Sequence, residues 1–392
     1  MKVLILCNYP LNPSNMNGGT STVSYNLVES LMQYTDISIT VFSFVNRIVD
    51  KEIISKNNNK LKIYKVYTNF KFSNVLNYYF QRMKFRHFLD NNEFDIIHAQ
   101  SNSLYATLSI DSGLPNVFTD HGLRLREIEL NKNRDIIRYY LNKKNVLKNY
   151  RNAKNIIQTN VYTRNETKIF HKAKTWIIPN PIDENYFKLY KKYKINIGHI
   201  LLIGGIRRRK DIVTAIQSIR NVLNNHINIF LNIIGPIEKD YKQEIENLIV
   251  KFKLSQKIKI YGLVSYSKLL YLTAKADILL LTSIEETSPL AIMQSMAAGK
   301  PIVSTDVGGI PEIVIENKNA LLSKPKDHCK IAKHLAYLIL NRDKREAFSK
   351  NSFLLAQKKF SAKQVSSETL RVYNEIIKNF VGMKNDRCQS AH

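Results

Sequence analysis

Short apolar runs recur along the 392-residue chain, separated by helical or turn-rich segments. In the first half they fall at 3–7, 37–44, 61–66, 94–98, 116–119 and 155–158. The helical pattern of Val23, Leu27, Val28 and Leu31 follows the first of them. Runs this short, rich in Ile, Leu and Val, suit strands buried on both faces, and helices between them imply a parallel sheet. The rhythm breaks at Pro179, Asn180, Pro181, Ile182 and Asp183, where two prolines bar both helix and central strand. It resumes at 199–203, 228–234, 257–261, 277–281, 301–304 and 320–322, with helical patterns at 267–276 and 289–298; from 330 onward the pattern is almost wholly helical. The expected fold class is α/β, with two doubly wound, Rossmann-like domains over 1–180 and 181–365 and a C-terminal helix and tail over 366–392. A chain of this length has room for two cores.

The net charge of +27 raises the question of nucleic acid. Residues 1–190 carry +11 and the remainder +16, so the excess is spread over both halves and forms no stripe. No zinc-finger, helix-turn-helix or RNA-recognition signature accompanies it, which argues against nucleic acid and for anionic ligands or an anionic membrane surface. Cys7, Cys329 and Cys388 are scattered and supply neither a disulfide framework nor a metal cluster. A reducing, cytoplasmic setting is expected. Five apolar residues after Lys2 end at Asn8, Tyr9 and Pro10, too few for an export signal, and no run approaches the ~18–20 apolar residues of a membrane span.

In open parallel sheets ligands gather beyond the carboxyl ends of the strands, so the loops there carry the chemistry. Asn17, Gly18, Gly19 and Thr20 lie between the first strand and first helix, where paired glycines let backbone N–H groups approach an anion. This is no Gly-x-Gly-x-x-Gly dinucleotide fingerprint. In the second half, Gly204, Gly205, Ile206, Arg207, Arg208, Arg209, Lys210 and Asp211 follow the strand at 199–203. Four clustered cations suit a diphosphate. A third loop, Ser283, Ile284, Glu285, Glu286, Thr287, Ser288 and Pro289, precedes a helix, with Ser288 expected as the N-cap and Pro289 as the first helical residue. Its helix N-terminus offers amides to an anion, and Glu286 offers a carboxylate to hydroxyls.

Residues 283–314 read S-I-E-E-T-S-P-L-A-I-M-Q-S-M-A-A-G-K-P-I-V-S-T-D-V-G-G-I-P-E-I-V, followed by N-A-L-L at 319–322. With K-V-L-I-L at 2–6, D-I-I-H at 95–98, T-D-H-G at 119–122, I-P-N-P-I-D at 178–183 and G-G-I-x-x-x-K-D at 204–211, this order resembles retaining glycosyltransferase family 4, the glycosyl transferases group 1. The resemblance implies a GT-B fold: two Rossmann-like domains facing a cleft, with the C-terminal helix crossing back to the first. It implies transfer of a sugar from a nucleotide-diphosphate donor to a glycan or lipid-linked saccharide. Glu286 would bind donor-sugar hydroxyls, and the backbone of Thr287, Ser288, Pro289 and Leu290 would hold sugar and diphosphate. Lys210 and Gly19, next to Gly18, would contact phosphate, with Arg207 in reach. His121 would face the donor sugar at the reacting centre, and Val264 would lie in the turn that meets the base. Gln294 stands where the family has a second Glu, and keeps one acceptor while adding two donors for a ribose diol. Gly205 stands where an arginine is usual. His98 reads as a packed, hydrogen-bonded strand-end residue.

The implied chemistry is front-face substitution with retention, in which the leaving diphosphate helps deprotonate the acceptor. A retaining hydrolase would need a close carboxylate pair, which the resemblance does not supply. No metal and no further cofactor is expected, and no Asp-x-Asp motif occurs. Basic, apolar-studded stretches at 70–88 and 131–154 fit either an anionic inner leaflet, giving peripheral membrane contact, or helices packed inward. A GT-B nucleotide-sugar epimerase and a noncatalytic GT-B binding subunit remain the alternative readings.

Overall fold

A computed structural model of the chain describes residues 1–10, 18–46, 53–56, 60–69, 73, 76, 78–130 and 136–389. The chain divides into two compact units, Met1–Pro181 with Ala362–His392, and Ile182–Ser361. Each is built on its own sheet.

The first unit contains β1 (Lys2–Leu6), β2 (Ser38–Val45), β3 (Ile53–Lys56), β4 (Leu61–Tyr67), β5 (Ile96–Ala99), β6 (Asn116–Asp120), β7 (Asn155–Gln158) and β8 (Lys174–Ile177), in the order β3-β4-β2-β1-β5-β6-β7-β8. All pairings are parallel except that of β3 with β4. Side chains alternate between the two faces of a strand, so β1 feeds two cores. Val3 and Ile5 pack with Leu27, Leu31, Val372 and Ile376, whereas Leu4 and Leu6 pack with Phe42, Phe85, Phe88 and Leu108. The helix Ala362–Gln389 belongs to the first of these layers and lies against the helix Gly19–Leu31; Ser30 Oγ bonds Ala362 O at 2.7 Å and Ser366 Oγ at 2.8 Å.

The second unit contains β9 (His199–Ile203), β10 (Phe230–Ile234), β11 (Ile258–Gly262), β12 (Ile278–Leu281), β13 (Ile302–Thr305) and β14 (Ala320–Ser323), all parallel, in the order β11-β10-β9-β12-β13-β14. Its two cores again lie on opposite faces: Ile200 and Leu202 face the helix Ile212–Asn224, and Leu201 faces the helix Leu290–Ala297. A buried knot ties the rear of the unit together. Asp277 meets Arg345 at 3.1 Å, and Lys300 Nζ donates to the carbonyls of Ala274 and Ala276 at 2.8 Å.

The apolar runs thus become strands, with ends displaced by one or two residues. Two strands escaped the sequence reading. β3 holds only four residues and pairs antiparallel, and β8 reads Lys-Thr-Trp-Ile with none of its residues fully buried. Both are edge strands, which do not need the continuous apolar run of a strand covered on both faces.

Candidate functional site

Strand order reverses direction between β9 and β12 in the second unit, and between β1 and β5 in the first. Adjacent crossovers leave on opposite faces at such a point, and a crevice opens beyond the strand ends. In the second unit the loops bordering it are those after β9 and β12, and they bring Lys210 and Glu286 together across 76 positions of sequence.

Lys210 Nζ donates to Glu286 Oε1, and Ser283 Oγ donates to the same oxygen at 2.7 Å. Both bonds fall on Oε1 and leave Oε2 to accept from elsewhere. The two side chains are nearly dry, 12% and 6% exposed. Backbone contacts fix the loops. Thr282 Oγ1 donates to the carbonyls of Lys210 at 3.0 Å and Asp211 at 2.9 Å, and Ile284 N donates to Arg209 O at 2.9 Å. Thr305 Oγ1 donates to Ser283 O at 2.6 Å, and Gly309 N donates to Glu286 O at 3.0 Å. Glycine is required at 235, where φ is +147° and a Cβ would stand 2.0 Å from Gly204 O.

The four cations of the glycine loop do not share one task. Arg208 pairs with Glu244 at 2.8 Å and lies over the Tyr241 ring, and Arg209 Nη1 donates to Glu285 O at 3.3 Å. Arg207 remains 58% exposed, its nearest carboxylate oxygen being Glu238 Oε1 at 3.7 Å. Carboxylates distant in sequence therefore compensate charges that the sequence alone assigned to an anion.

Pro289 is a correction. It caps the helix Leu290–Ala297 from outside in an extended conformation, with no side-chain cap, and Ser288 is not the N-cap. Ile292 N at 3.1 Å and Met293 N at 3.4 Å both reach Pro289 O, so the ladder starts from that carbonyl. Pro289 has no N–H, and the first-turn amides of Leu290 and Ala291 are the donors this end presents. Thr287 and Ser288 are half-buried beside it, and Gln294 is buried on the same helix. Val264 is half-buried just past the turn at Gly262, whose φ is +68°.

In the first unit Gly18 caps the helix Gly19–Leu31 at φ +106°, a conformation that leaves the first-turn amides of Gly19 and Thr20 open, with no atom within 4 Å of where a Cβ would sit. Asn17 lies outside the described residues. His121 follows β6, its Nδ1 3.0 Å from Asn180 Oδ1 and its Nε2 2.9 Å from Gln100 Oε1. Burial lowers its pKa to about 4, against the bond to Asn180. Asp120, bonded to Tyr150 OH, is pushed up to about 7 by burial. A hollow of about 290 Å³ adjoins these residues, lined among others by Asn8, Ser21, Gln100, Asn102 and Arg124. His98 is buried between Tyr373 and Thr119, as a packed strand-end histidine.

No role was legible in the sequence for Ser283, Thr305, Gln100 or Asn180, although Ser283 opens the third loop and Asn180 stands between two prolines.

The chain resembles known proteins in both halves. The model for glycosyl transferases group 1 matches residues 190–354, and that for glycosyltransferase family 4 matches residues 17–186. An uncharacterized glycosyltransferase of Methanocaldococcus jannaschii is 26% identical over 295 residues, covering 74% of this chain and 78% of that protein. The N-acetyl-alpha-D-glucosaminyl L-malate synthase of Bacillus anthracis is 25% identical over 211 residues, about half of each chain at 51% and 53%. Among solved structures, sucrose-phosphate synthase from Thermosynechococcus elongatus superposes with a TM-score of 0.77 at 17% identity, over 96% of this chain and 99% of that one. HepE of Anabaena, solved with UDP and glucose, gives 0.69 at 15% identity, over 96% and 100%. Their likeness establishes the fold. Two doubly wound sheets, a switch-point site in each, and the two family models that span them make this chain a sugar-transferring member of the group 1, family 4 glycosyltransferases with the GT-B fold.

Proposed function

We propose that the chain is a retaining, hexosyltransferase-type glycosyltransferase whose second unit binds a nucleotide-diphosphate sugar and whose first unit receives a glycan or lipid-linked acceptor. The observation that carries this is the dry Lys210–Glu286–Ser283 cluster at the β9/β12 switch point. Glu286 Oε2 is left to accept from donor-sugar hydroxyls while Oε1 stays bound to Lys210. The ammonium of Lys210, the exposed Arg207 and the amides of Leu290 and Ala291 then face the diphosphate, where preorganised donors are worth most as charge develops on the leaving group. Thr287 and Ser288 line the same end, Gln294 takes the ribose diol and Val264 lies by the base. In the first unit Gly18 turns the chain so that the amides of Gly19 and Thr20 stay open for a phosphate, and His121 takes the sugar-facing role that the family resemblance implies.

No carboxylate nucleophile is required. The acceptor hydroxyl attacks the face that the diphosphate leaves, the new glycosidic bond forms as the C1–O bond breaks, and the proton passes to the departing diphosphate oxygen. The chain's own donors neutralise that diphosphate, so transfer should persist in a chelator. The hollow beside Asp120 and His121, lined by amides and hydroxyls, suits a hydroxylated acceptor.

Exposed apolar residues point to a membrane as the source of that acceptor. Tyr79, Phe80 and Met83 are each more than half exposed beside Arg82 and Lys84, as are Ile136, Ile137 and Tyr140 on the helix Ile136–Asn152. An anionic leaflet suits such a mixture of apolar and basic side chains. Residues 70–72, 74, 75, 77 and 131–135 of the two basic stretches lie outside the described residues. Among the described residues no helix is long and apolar enough to cross a membrane.

A thermal-shift panel of nucleotide sugars tests the donor site. A ligand at 100 times its Kd stabilises by about 2.7 kcal/mol, so one or a few nucleotide-diphosphate sugars should raise the melting temperature of wild type and not of Lys210→Met. No shift with any of them would refute the reading.

A further inference from the structure

The meeting of Lys210 with Glu286 depends on how the chain turns at Asp211. Asp211 is left-handed, at φ +45° and ψ +57°, and caps the helix Ile212–Asn224. Its Oδ1 accepts from Thr214 N at 3.3 Å and its Oδ2 from Thr214 Oγ1 at 2.7 Å. Aspartate enters this region more readily than most side chains, yet the conformation still costs free energy and persists only when its surroundings hold it. Just before it, a single turn of 3₁₀ helix at Arg208–Lys210 brings Lys210 N to Arg207 O at 2.9 Å and Asp211 N to Arg208 O at 3.1 Å. The last residue of that turn is the one whose ammonium meets Glu286.

One hydroxyl grips this turn from another loop. Thr282 Oγ1 donates to Lys210 O at 3.0 Å and to Asp211 O at 2.9 Å, across 72 and 71 positions of sequence. A hydroxyl has one proton to give, so the two carbonyls share it in a three-centre bond. Thr282 itself has no exposed surface. Its neighbours act on the same pair: Ser283 Oγ donates to Glu286 Oε1 at 2.7 Å, and Ile284 N donates to Arg209 O at 2.9 Å. Residues 282 and 284 thus bind the backbone around Lys210, while residue 283 binds the carboxylate that Lys210 meets. The Lys210 stem is confined as well, with Cε 3.0 Å and Nζ 3.3 Å from where a Cβ on Gly204 would stand. With the stem enclosed, the turn beneath it sets where the ammonium points.

We infer that Thr282 is a positioning residue of the donor site: its hydroxyl clamps the left-handed turn at Asp211 and thereby aims the Lys210 ammonium at the diphosphate. The clamp needs the hydroxyl of Thr282 and not its methyl group. The effect on donor binding rests on the role given to Lys210 above; the effect on the turn does not.

Amide hydrogen exchange over residues 206–214 of the full-length protein tests the clamp, and calorimetric titration with UDP, GDP, ADP and dTDP tests its consequence. Thr282→Val keeps the shape and loses the hydroxyl; Thr282→Ser keeps the hydroxyl and loses the methyl. Thr282→Val should speed exchange in this segment by up to about 10-fold, the worth of one hydrogen bond, while Thr282→Ser should keep the wild-type rate. The nucleoside diphosphate that binds wild type most tightly should bind Thr282→Val about 10-fold more weakly, as when one charge-assisted contact is lost. In a Lys210→Met background Thr282→Val should cost no further affinity, because the group it aims is gone. Thr282→Cys, whose thiol is a weak donor, should fall between Thr282→Ser and Thr282→Val, and it carries the test if Thr282→Val does not fold. Unchanged exchange in Thr282→Val, or Thr282→Ser disturbed as much as Thr282→Val, would overturn the clamp. Faster exchange with no accompanying loss of binding would uphold the clamp and refute the place given to Lys210 in the donor site.

Discussion

Deleting one member of the Lys210–Glu286 pair should strand the other in a dry site. Lys210 is 12% exposed and Glu286 6%, and Glu286 has one further donor, the hydroxyl of Ser283 at 2.7 Å. Lys210→Met keeps most of the apolar stem beneath Gly204 and removes only the charge. Breaking a buried pair from one side costs about 3–5 kcal/mol, since the remaining charge keeps its desolvation penalty without its partner. For a unit of this size each kcal/mol moves the melting temperature by about 2–4 °C, so Lys210→Met should melt roughly 6–20 °C lower. Glu286→Gln strands the ammonium and should lose a comparable amount. The double variant strands no charge and should lose clearly less than the two singles together. Urea denaturation of all four proteins at pH 7.5 measures the cycle. Strictly additive losses, or a Lys210→Met protein as stable as wild type, would refute the pairing. Function should split the pair differently: Lys210→Met should weaken nucleotide-sugar binding, whereas Glu286→Gln should spare it and lose about 10²–10³ in transfer rate.

Three further outcomes follow from named residues. Asp120 holds a proton up to about pH 7 when folded, against 3.8 ordinarily, so it opposes folding increasingly as pH rises between those values. His98 and His121 stay neutral down to about 3 and 4, against 6.5 ordinarily, so their contribution is lost as pH falls below 6.5. Near pH 5 the two histidines outweigh the aspartate, and Asp120→Asn should steepen the acid loss of stability by about 1.4 kcal/mol per pH unit, read by denaturation at stepped pH. Gln294→Glu should retain most transfer activity, because both side chains accept from a ribose diol; abolished nucleotide binding would place residue 294 elsewhere. The protein should bind anionic vesicles and leave them as salt shortens the screening length below ~8 Å, and equal binding to neutral vesicles would contradict the surface reading.

The sequence disclosed the parallel sheets because strands covered on both faces need unbroken apolar runs, and β1, β9 and β12 have them. β3 and β8 stayed hidden because edge strands escape that demand. Within the site, Glu286 and Lys210 were legible from their loops, but their pairing was not: a salt bridge between residues 76 positions apart leaves no local trace. The arginine run misled for the same reason, since Glu244 and Tyr241, which hold Arg208, belong to another helix. The cap at Pro289 was misplaced because a proline suits both positions sterically, and only the carbonyl that receives Ile292 and Met293 distinguishes them. Gln100 carries no sequence signal, since its contact with His121 spans two separate strand ends.

Retaining transfer from a nucleotide-diphosphate sugar bound at Lys210 and Glu286 can be followed with water in place of the unknown acceptor. Proton NMR can follow the sugar released from the nucleotide sugar selected by thermal shift, in chelator, before the free sugar equilibrates its anomers. The first-formed sugar should have the donor's own anomeric configuration, with equimolar nucleoside diphosphate and a release rate reduced about 10²–10³ in Glu286→Gln. The opposite anomer, an epimerised nucleotide sugar, or release indifferent to Glu286 would contradict it.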